Sequence, residues 1–254
     1  MKGYTIAVAG KGGTGKTTLT GMLIRYLTEK RKGPVLAVDA DPNSNLNEVL
    51  GVECDSTIGH IREEALDTAG ARPHGMSLDE FMDLRIQQVM VEAKGFDLLV
   101  MGRPEGPGCY CAANNVIQRY TDHLVADYPY IVTDNEAGLE HLSRRTTQDT
   151  DLLLVISDSS ARGVLTAGRV NGIVDELGLS VGKRVLIVNR VPDGDLTPEL
   201  QEAIAKTGMD FAGFVPLDQK IFEYDMAGRP LKDLPADSAA FQAACGIFEG
   251  LEIP

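Results

Sequence analysis

The sequence predicts a doubly wound α/β domain, with a mostly parallel sheet and helices on both faces. Three observations predict it. Short unbroken apolar runs, such as Leu152-Leu153-Leu154-Val155-Ile156 and Val185-Leu186-Ile187-Val188, recur along the 254 residues, and strands buried on both faces of a parallel sheet read this way. Longer segments with helical spacing separate those runs. The first run leads straight into a glycine-rich turn and then a helix-forming segment. The length suits one such domain, 1–254, around a single large core.

The elements follow in order. Apolar runs place strands at 4–9, 34–39, 96–101, 130–134, 151–157, 184–190 and 211–215. Segments 16–30, 160–177 and 197–206 between them carry helical periodicity. A further helix starts at Ser77, where Ser77 and Glu80 have capping-box spacing. No strand is assigned within 51–95, where Gly, Pro and charge mix. In such sheets ligands sit beyond the carboxyl ends of the strands, and the polar motifs of this chain fall there.

Composition narrows the function classes. The net charge is −13, which works against non-specific nucleic-acid binding and against anionic membranes. No apolar run approaches the ~20 residues of a membrane helix. Met1-Lys2-Gly3 leads into a strand instead of a secretory leader, so the chain is read as cytoplasmic, with no nucleic-acid or membrane partner. Four cysteines stand at 54, 109, 111 and 245. A cytosolic chain of this size does not need disulfides, so a close pair is weighed as a metal or redox site.

The glycine turn reads Gly10-Lys11-Gly12-Gly13-Thr14-Gly15-Lys16-Thr17-Thr18. Strand, glycine loop and helix form the context of a phosphate-binding loop. Its backbone N–H groups and the helix dipole suit a phosphate. Lys16 is placed to bridge β- and γ-phosphates, and the Thr17 hydroxyl to bind Mg²⁺. Two further strands end in carboxylates, Asp39-Ala40-Asp41 and Asp134, and paired carboxylates at strand ends can work around a metal–phosphate centre.

Lys11, directly after the first glycine, makes the resemblance specific. The KGG-x-GKT form resembles the deviant Walker A (SIMIBI-type) P-loop ATPases, the family of cell-division and partition ATPases and the nitrogenase iron protein. The resemblance implies that Lys11 reaches a partner's nucleotide in trans. It implies that Asp39 sits in the outer shell of Mg²⁺, that Asp41 orients or deprotonates the attacking water, and that Asp134 is the Walker B carboxylate. Gly138 is similar to the switch glycine that meets the γ-phosphate. Asn189, with Arg190 beside it, resembles the adenine-contacting position, and Val215-Pro216-Leu217-Asp218 resembles the loop that covers the base. Asn189-Arg190-Val191-Pro192 lacks the Asp of a guanine site, so ATP is expected over GTP.

The segment Gly106-Pro107-Gly108-Cys109-Tyr110-Cys111 follows the strand at 96–101. Two thiolates at this spacing can bind one soft or borderline metal but are too few for a closed tetrahedral site. A two-fold dimer would bring four sulfurs together. Packed thiols and a redox pair are the plainer alternatives. With Asp134-x-Glu136-Ala137-Gly138-x-Glu140-His141-Leu142, this loop resembles the nickel-insertion ATPases of carbon monoxide dehydrogenase, from the P-loop to about residue 230. That resemblance implies an ATP-driven homodimer holding Ni²⁺, or Zn²⁺ in the same site, between Cys109 and Cys111 of both copies. Its client would be carbon monoxide dehydrogenase, with acetyl-CoA synthase as the sister case. A positioning ATPase, an iron–sulfur reductase and an iron–sulfur scaffold are the rivals. The first needs no Cys109 or Cys111. The reductase places its cysteines far apart, and the scaffold carries C-x-x-C near the C-terminus, where only Cys245 stands here. Cys54 could serve as an adventitious ligand, Cys245 reads as a core thiol of a terminal helix, His141 stands beside the switch region as either a relay to the interface or a surface histidine, and His60, His74 and His123 form no ligand-spaced motif.

Overall fold

The structure, a computed structural model, describes residues 3–30, 33–43, 45–61, 76–102, 127–136 and 150–254. Eight strands are present among them: β1 (Tyr4–Gly10), β2 (Val35–Asp39), β3 (Val91–Ala93), β4 (Phe96–Val100), β5 (Tyr130–Asp134), β6 (Thr150–Ser157), β7 (Val181–Val191) and β8 (Asp210–Pro216). They form one sheet in the order β3-β4-β2-β5-β1-β6-β7-β8. All pairings are parallel except that of β3 with β4.

The helices are α1 (Lys16–Lys30), α2 (Leu46–Leu50), α3 (Leu78–Val89), α4 (Ala161–Glu176), α5 (Pro198–Thr207), α6 (Gln219–Met226) and α7 (Ala239–Gly250). Because side chains alternate along a strand, each apolar strand feeds two cores. Ile6 and Val8 of β1 and Val35 and Ala37 of β2 pack with α1, α2 and α7 on one face. Ala7 and Ala9 pack with α4 and α5 on the other, where Leu36, Val38 and Ile86 of α3 form a neighbouring cluster. This is the doubly wound architecture expected from the apolar runs.

The seven expected strands are all present, and the helices at 16–30, 160–177 and 197–206 appear with ends shifted by a residue or so. The Ser77 capping box forms as read: Ser77 Oγ accepts from Glu80 N at 3.2 Å, and Glu80 Oε2 accepts from Ser77 N at 2.8 Å. Two differences stand out. β3 lies inside 51–95, where no strand was assigned. It is three residues long and turns back onto β4 through Lys94-Gly95, with Gly95 at φ +89°. β7 runs from 181 to 191, longer than 184–190, and its pairing with β8 shifts register between Val188 and Val191.

Strand order positions the site. β1 is central, with β5 on one side and β2 beyond it. Asp134 at the end of β5 is in register with Val8 of β1 and with Asp39 of β2. The glycine loop, Asp39 and Asp134 therefore share one carboxyl edge.

Candidate nucleotide site

The loop leaves β1 at Gly10 and closes on itself. The Lys11 carbonyl accepts from Thr14 Oγ1 at 2.9 Å, from Thr14 N at 3.4 Å and from Lys16 Nζ at 3.5 Å. The Lys11 side chain itself is exposed, as are Gly12 and Gly13, while Thr14 and Lys16 are buried. Burial lowers the Lys16 pKa, and the carboxylates of Asp134, Asp41 and Glu136 push it back up. A buried ammonium at a helix N-terminus suits a phosphate chain, and the carboxylates beside it suit a cation that accompanies the phosphates.

The two strand-end carboxylates are fully inside. Asp39 is 0% exposed and accepts from Asp41 N at 3.1 Å and from Leu46 N at 3.0 Å, so it ties the β2 exit to the start of α2. Burial raises its pKa to about 7, against the two backbone bonds and with the help of neighbouring Asp134. Asp134 is 1% exposed and its pKa is pushed to about 6 by burial, against the Thr17 and Thr20 hydroxyls and Lys16. Its Oδ1 meets no hydrogen-bond donor among the described residues. An orphaned carboxylate oxygen in the interior is costly unless a cation or water completes it. Hydroxyl, carboxylate and phosphate oxygens are the donor set of Mg²⁺, which keeps several waters and needs no all-protein cage. The residues present fit that ion: Thr17 and Asp134 would hold it, with Asp39 behind them.

Asp41 is half-buried, and its Oδ1 accepts from Asn43 N at 2.8 Å, a turn that fixes the carboxylate at the mouth of the site. Asn135 was missed in the sequence. It pins the β5 exit to β1, with its N and Nδ2 both donating to the Val8 carbonyl, at 3.1 and 3.0 Å. Asp218 does more than end the segment that resembles the base loop. It caps α6 through Lys220 N at 2.9 Å and also accepts from Ser238 Oγ at 2.6 Å and Ala240 N at 3.1 Å, joining that loop to α7. An Asp directly before a helix is the signal that could have found the cap.

On the far side of the loop, Asn189 is buried and donates from Nδ2 to the Thr14 carbonyl at 2.9 Å, and Arg190 Nη1 donates to the Gly13 carbonyl at 3.0 Å. Pro216 ends β8, and the next N–H, of Leu217, donates to the Val191 carbonyl at 2.9 Å. The structure thus gathers Gly10 to Thr18, Asp39, Asp41, Asp134, Asn189 and Arg190 around one loop. Cys109, Cys111, Gly138 and His141 lie outside the described residues. Among the described ones, Cys54 and Cys245 are free, half-buried thiols, and no group of three or more His, Cys, Asp or Glu side chains is arranged to hold a metal. No described helix is long and apolar enough to cross a membrane.

Comparison with known proteins places this geometry. The description "CobQ/CobB/MinD/ParA nucleotide binding domain" matches residues 5–231. Uncharacterized ATP-binding protein MJ0685 of Methanocaldococcus jannaschii is 44% identical over 250 residues, 96% of each chain. The carbon monoxide dehydrogenase accessory protein CooC of Rhodospirillum rubrum is 29% identical over 245 residues, 90% of this chain and 89% of that one. Among solved structures, the Pyrococcus furiosus cell division ATPase MinD superposes with a TM-score of 0.73 at 24% identity, covering 98% of both chains, which shows the shared fold. With its loop, its buried carboxylates and this match, the chain belongs to the CobQ/CobB/MinD/ParA family of P-loop nucleotide-binding domains.

Proposed function

We propose that the protein is an ATP-hydrolysing maturation factor that dimerises on nucleotide and inserts nickel into the active-site cluster of carbon monoxide dehydrogenase. The observation that carries the metal part is where the Cys109-Tyr110-Cys111 motif falls in the sequence, shortly after β4. It follows β4, whose exit residue Met101 donates its N–H to the Asp39 carbonyl at 2.8 Å. β4 therefore exits at the nucleotide edge, next to a carboxylate of the site, eight residues before Cys109 in the sequence. The 29% identity to a carbon monoxide dehydrogenase accessory protein supports the same reading.

The site residues divide the work. Backbone N–H groups of Gly10 to Thr18 cradle the phosphates, and Lys16 compensates their charge. Asp41 orients or deprotonates the attacking water, and Asp39 steadies the loop that carries Asp41. Thr17 and Asp134 hold Mg²⁺, which supplies charge neutralisation at the phosphates. Lys11 reaches the partner's nucleotide, Gly138 meets the γ-phosphate, and Asn189, Arg190 and Pro216 flank the base. Closure of the dimer brings Cys109 and Cys111 of both copies around one nickel ion, with zinc an alternative occupant of the same thiolates. The homodimer, the nickel cargo and the client are parts of this proposal, with acetyl-CoA synthase as the alternative client.

Metal content read against protomer mass tests it. Metal-free protein is incubated with Ni²⁺, with and without a non-hydrolysable ATP analogue, and examined by mass spectrometry and light scattering. The expected result is one nickel per ATP-dependent dimer, lost in Cys109→Ser and Cys111→Ser. ATP-dependent dimers with no nickel would point to a positioning or remodelling ATPase.

A further inference from the structure

The carboxyl end of β7 breaks its regular pairing with β8, and the register shift falls between Val188 and Val191. The two residues inside that interval are Asn189 and Arg190. Arg190 holds φ at +58°, the left-handed region that a non-glycine residue adopts only when its surroundings over-determine it. Strand irregularities beside a site serve to re-aim side chains. Here both side chains turn onto the backbone of the glycine loop.

The contacts are specific. Asn189 Nδ2 donates to Thr14 O at 2.9 Å, while Asn189 Oδ1 accepts from Arg190 N at 2.9 Å and so fixes the amide's orientation. Arg190 Nη1 donates to Gly13 O at 3.0 Å. At the next position, Gly15, a Cβ would lie 2.3 Å from Asn189 Nδ2, so the amide fills the space a side chain would need. Three successive loop positions are therefore pressed by one pair of residues. A peptide unit is planar and trans, so a carbonyl held from one side fixes the following N–H on the opposite side. Holding Thr14 O points the Gly15 N–H away from Asn189, to the phosphate side of the loop.

We propose that Asn189 and Arg190 are positioning residues that clamp the loop and preset its phosphate cradle before nucleotide arrives. The inference rests on the loop taking the phosphates of a nucleotide and is independent of the nickel reading. It separates two roles: a base reader acts on the purine alone, whereas a clamp acts on any polyphosphate.

The test uses a ligand without a base. Affinities for ATP, GTP and tripolyphosphate, each with Mg²⁺, are measured by calorimetry on the full chain, Asn189→Ala and Arg190→Gly. Loss of a buried hydrogen bond that shapes the cradle is expected to weaken tripolyphosphate about tenfold in Asn189→Ala. ATP and GTP, which carry the same polyphosphate, should each weaken by at least that factor. Arg190→Gly keeps the test alive if Asn189→Ala fails to fold, because glycine adopts φ +58° freely and only the guanidinium contact is removed. It too should lose tripolyphosphate affinity. Folded variants that bind tripolyphosphate like the parent, whatever they do to ATP, overturn the clamp. So does a parent that binds ATP and not tripolyphosphate. A parent that binds none of the three overturns the nucleotide reading itself.

Discussion

Asp134 is where burial and function meet in one side chain. A carboxylate 1% exposed with an oxygen that meets no donor among the described residues is destabilising in the metal-free protein. Its pKa, raised to about 6, and that of Asp39, raised to about 7, express this cost. The sign follows from proton linkage. Between the ordinary carboxylate range and these values the folded state holds protons that the unfolded state releases, so stability falls as pH rises through that window. Asp134→Asn removes its share. Above both values the nucleotide-free variant should be more stable than the parent, on the order of 1–3 kcal/mol. The advantage should vanish as pH falls toward the ordinary carboxylate range. Thermal midpoints across pH check this, and an advantage of equal size at every pH would refute it. The same variant should lose Mg²⁺-dependent hydrolysis, a trade of stability against activity common at such sites. The glycine loop and these carboxylates were legible in the sequence because each stands directly after an apolar strand. The grip of Asn189 on Thr14 was not: it depends on a left-handed Arg190 and a register shift that no local composition announces.

At the scale of elements, α1 and α2 form the joint between the glycine loop and the Asp39–Asp41 segment. α1 begins at the loop, and α2 begins at Leu46, whose N–H is held by Asp39 Oδ2. The two helices meet at Gly21, where a Cβ would stand 2.4 Å from Val49 Cγ1. Replacing a mid-helix glycine by alanine ordinarily gains up to about 1 kcal/mol. Here overpacking should reverse the sign and destabilise by about 1–3 kcal/mol. Val49→Ala in the same chain makes room and should restore most of the loss. Urea midpoints for the two single variants and the double variant give the coupling directly; additive losses would mean that the helices do not touch as described. Helix α1 was legible from its spacing, and the Ser77 cap from four residues. α2 and β3 were not, because five and three residues are too few for a hydrophobic period to show. β3 becomes a strand only because β4 offers it a free edge.

At the scale of the molecule, the doubly wound sheet is legible because its inner strands, β3 and β8 apart, are largely buried on both faces and so read as apolar runs. Assembly is not, because it depends on surfaces that the apolar pattern does not mark. Lys11 makes the assembly question concrete. Its carbonyl is engaged by Thr14 and Lys16, while its side chain is exposed at the mouth of the site. Asp41, by contrast, is anchored within its own chain by the turn to Asn43. If Lys11 serves the partner's nucleotide and Asp41 its own, their defects lie in different sites of a dimer. Lys11→Ala and Asp41→Ala should each abolish ATP hydrolysis, with nucleotide binding largely kept in Lys11→Ala. Mixed together, they form dimers in which the Lys11→Ala chain keeps its Asp41 and receives Lys11 from the other chain. That one site is complete, so mixing should restore part of the activity. A lysine acting on its own chain's nucleotide leaves every site of the mixture broken, and no activity returns. Phosphate release measured on the two variants, alone and mixed, decides between a site finished within one chain and a site finished by two.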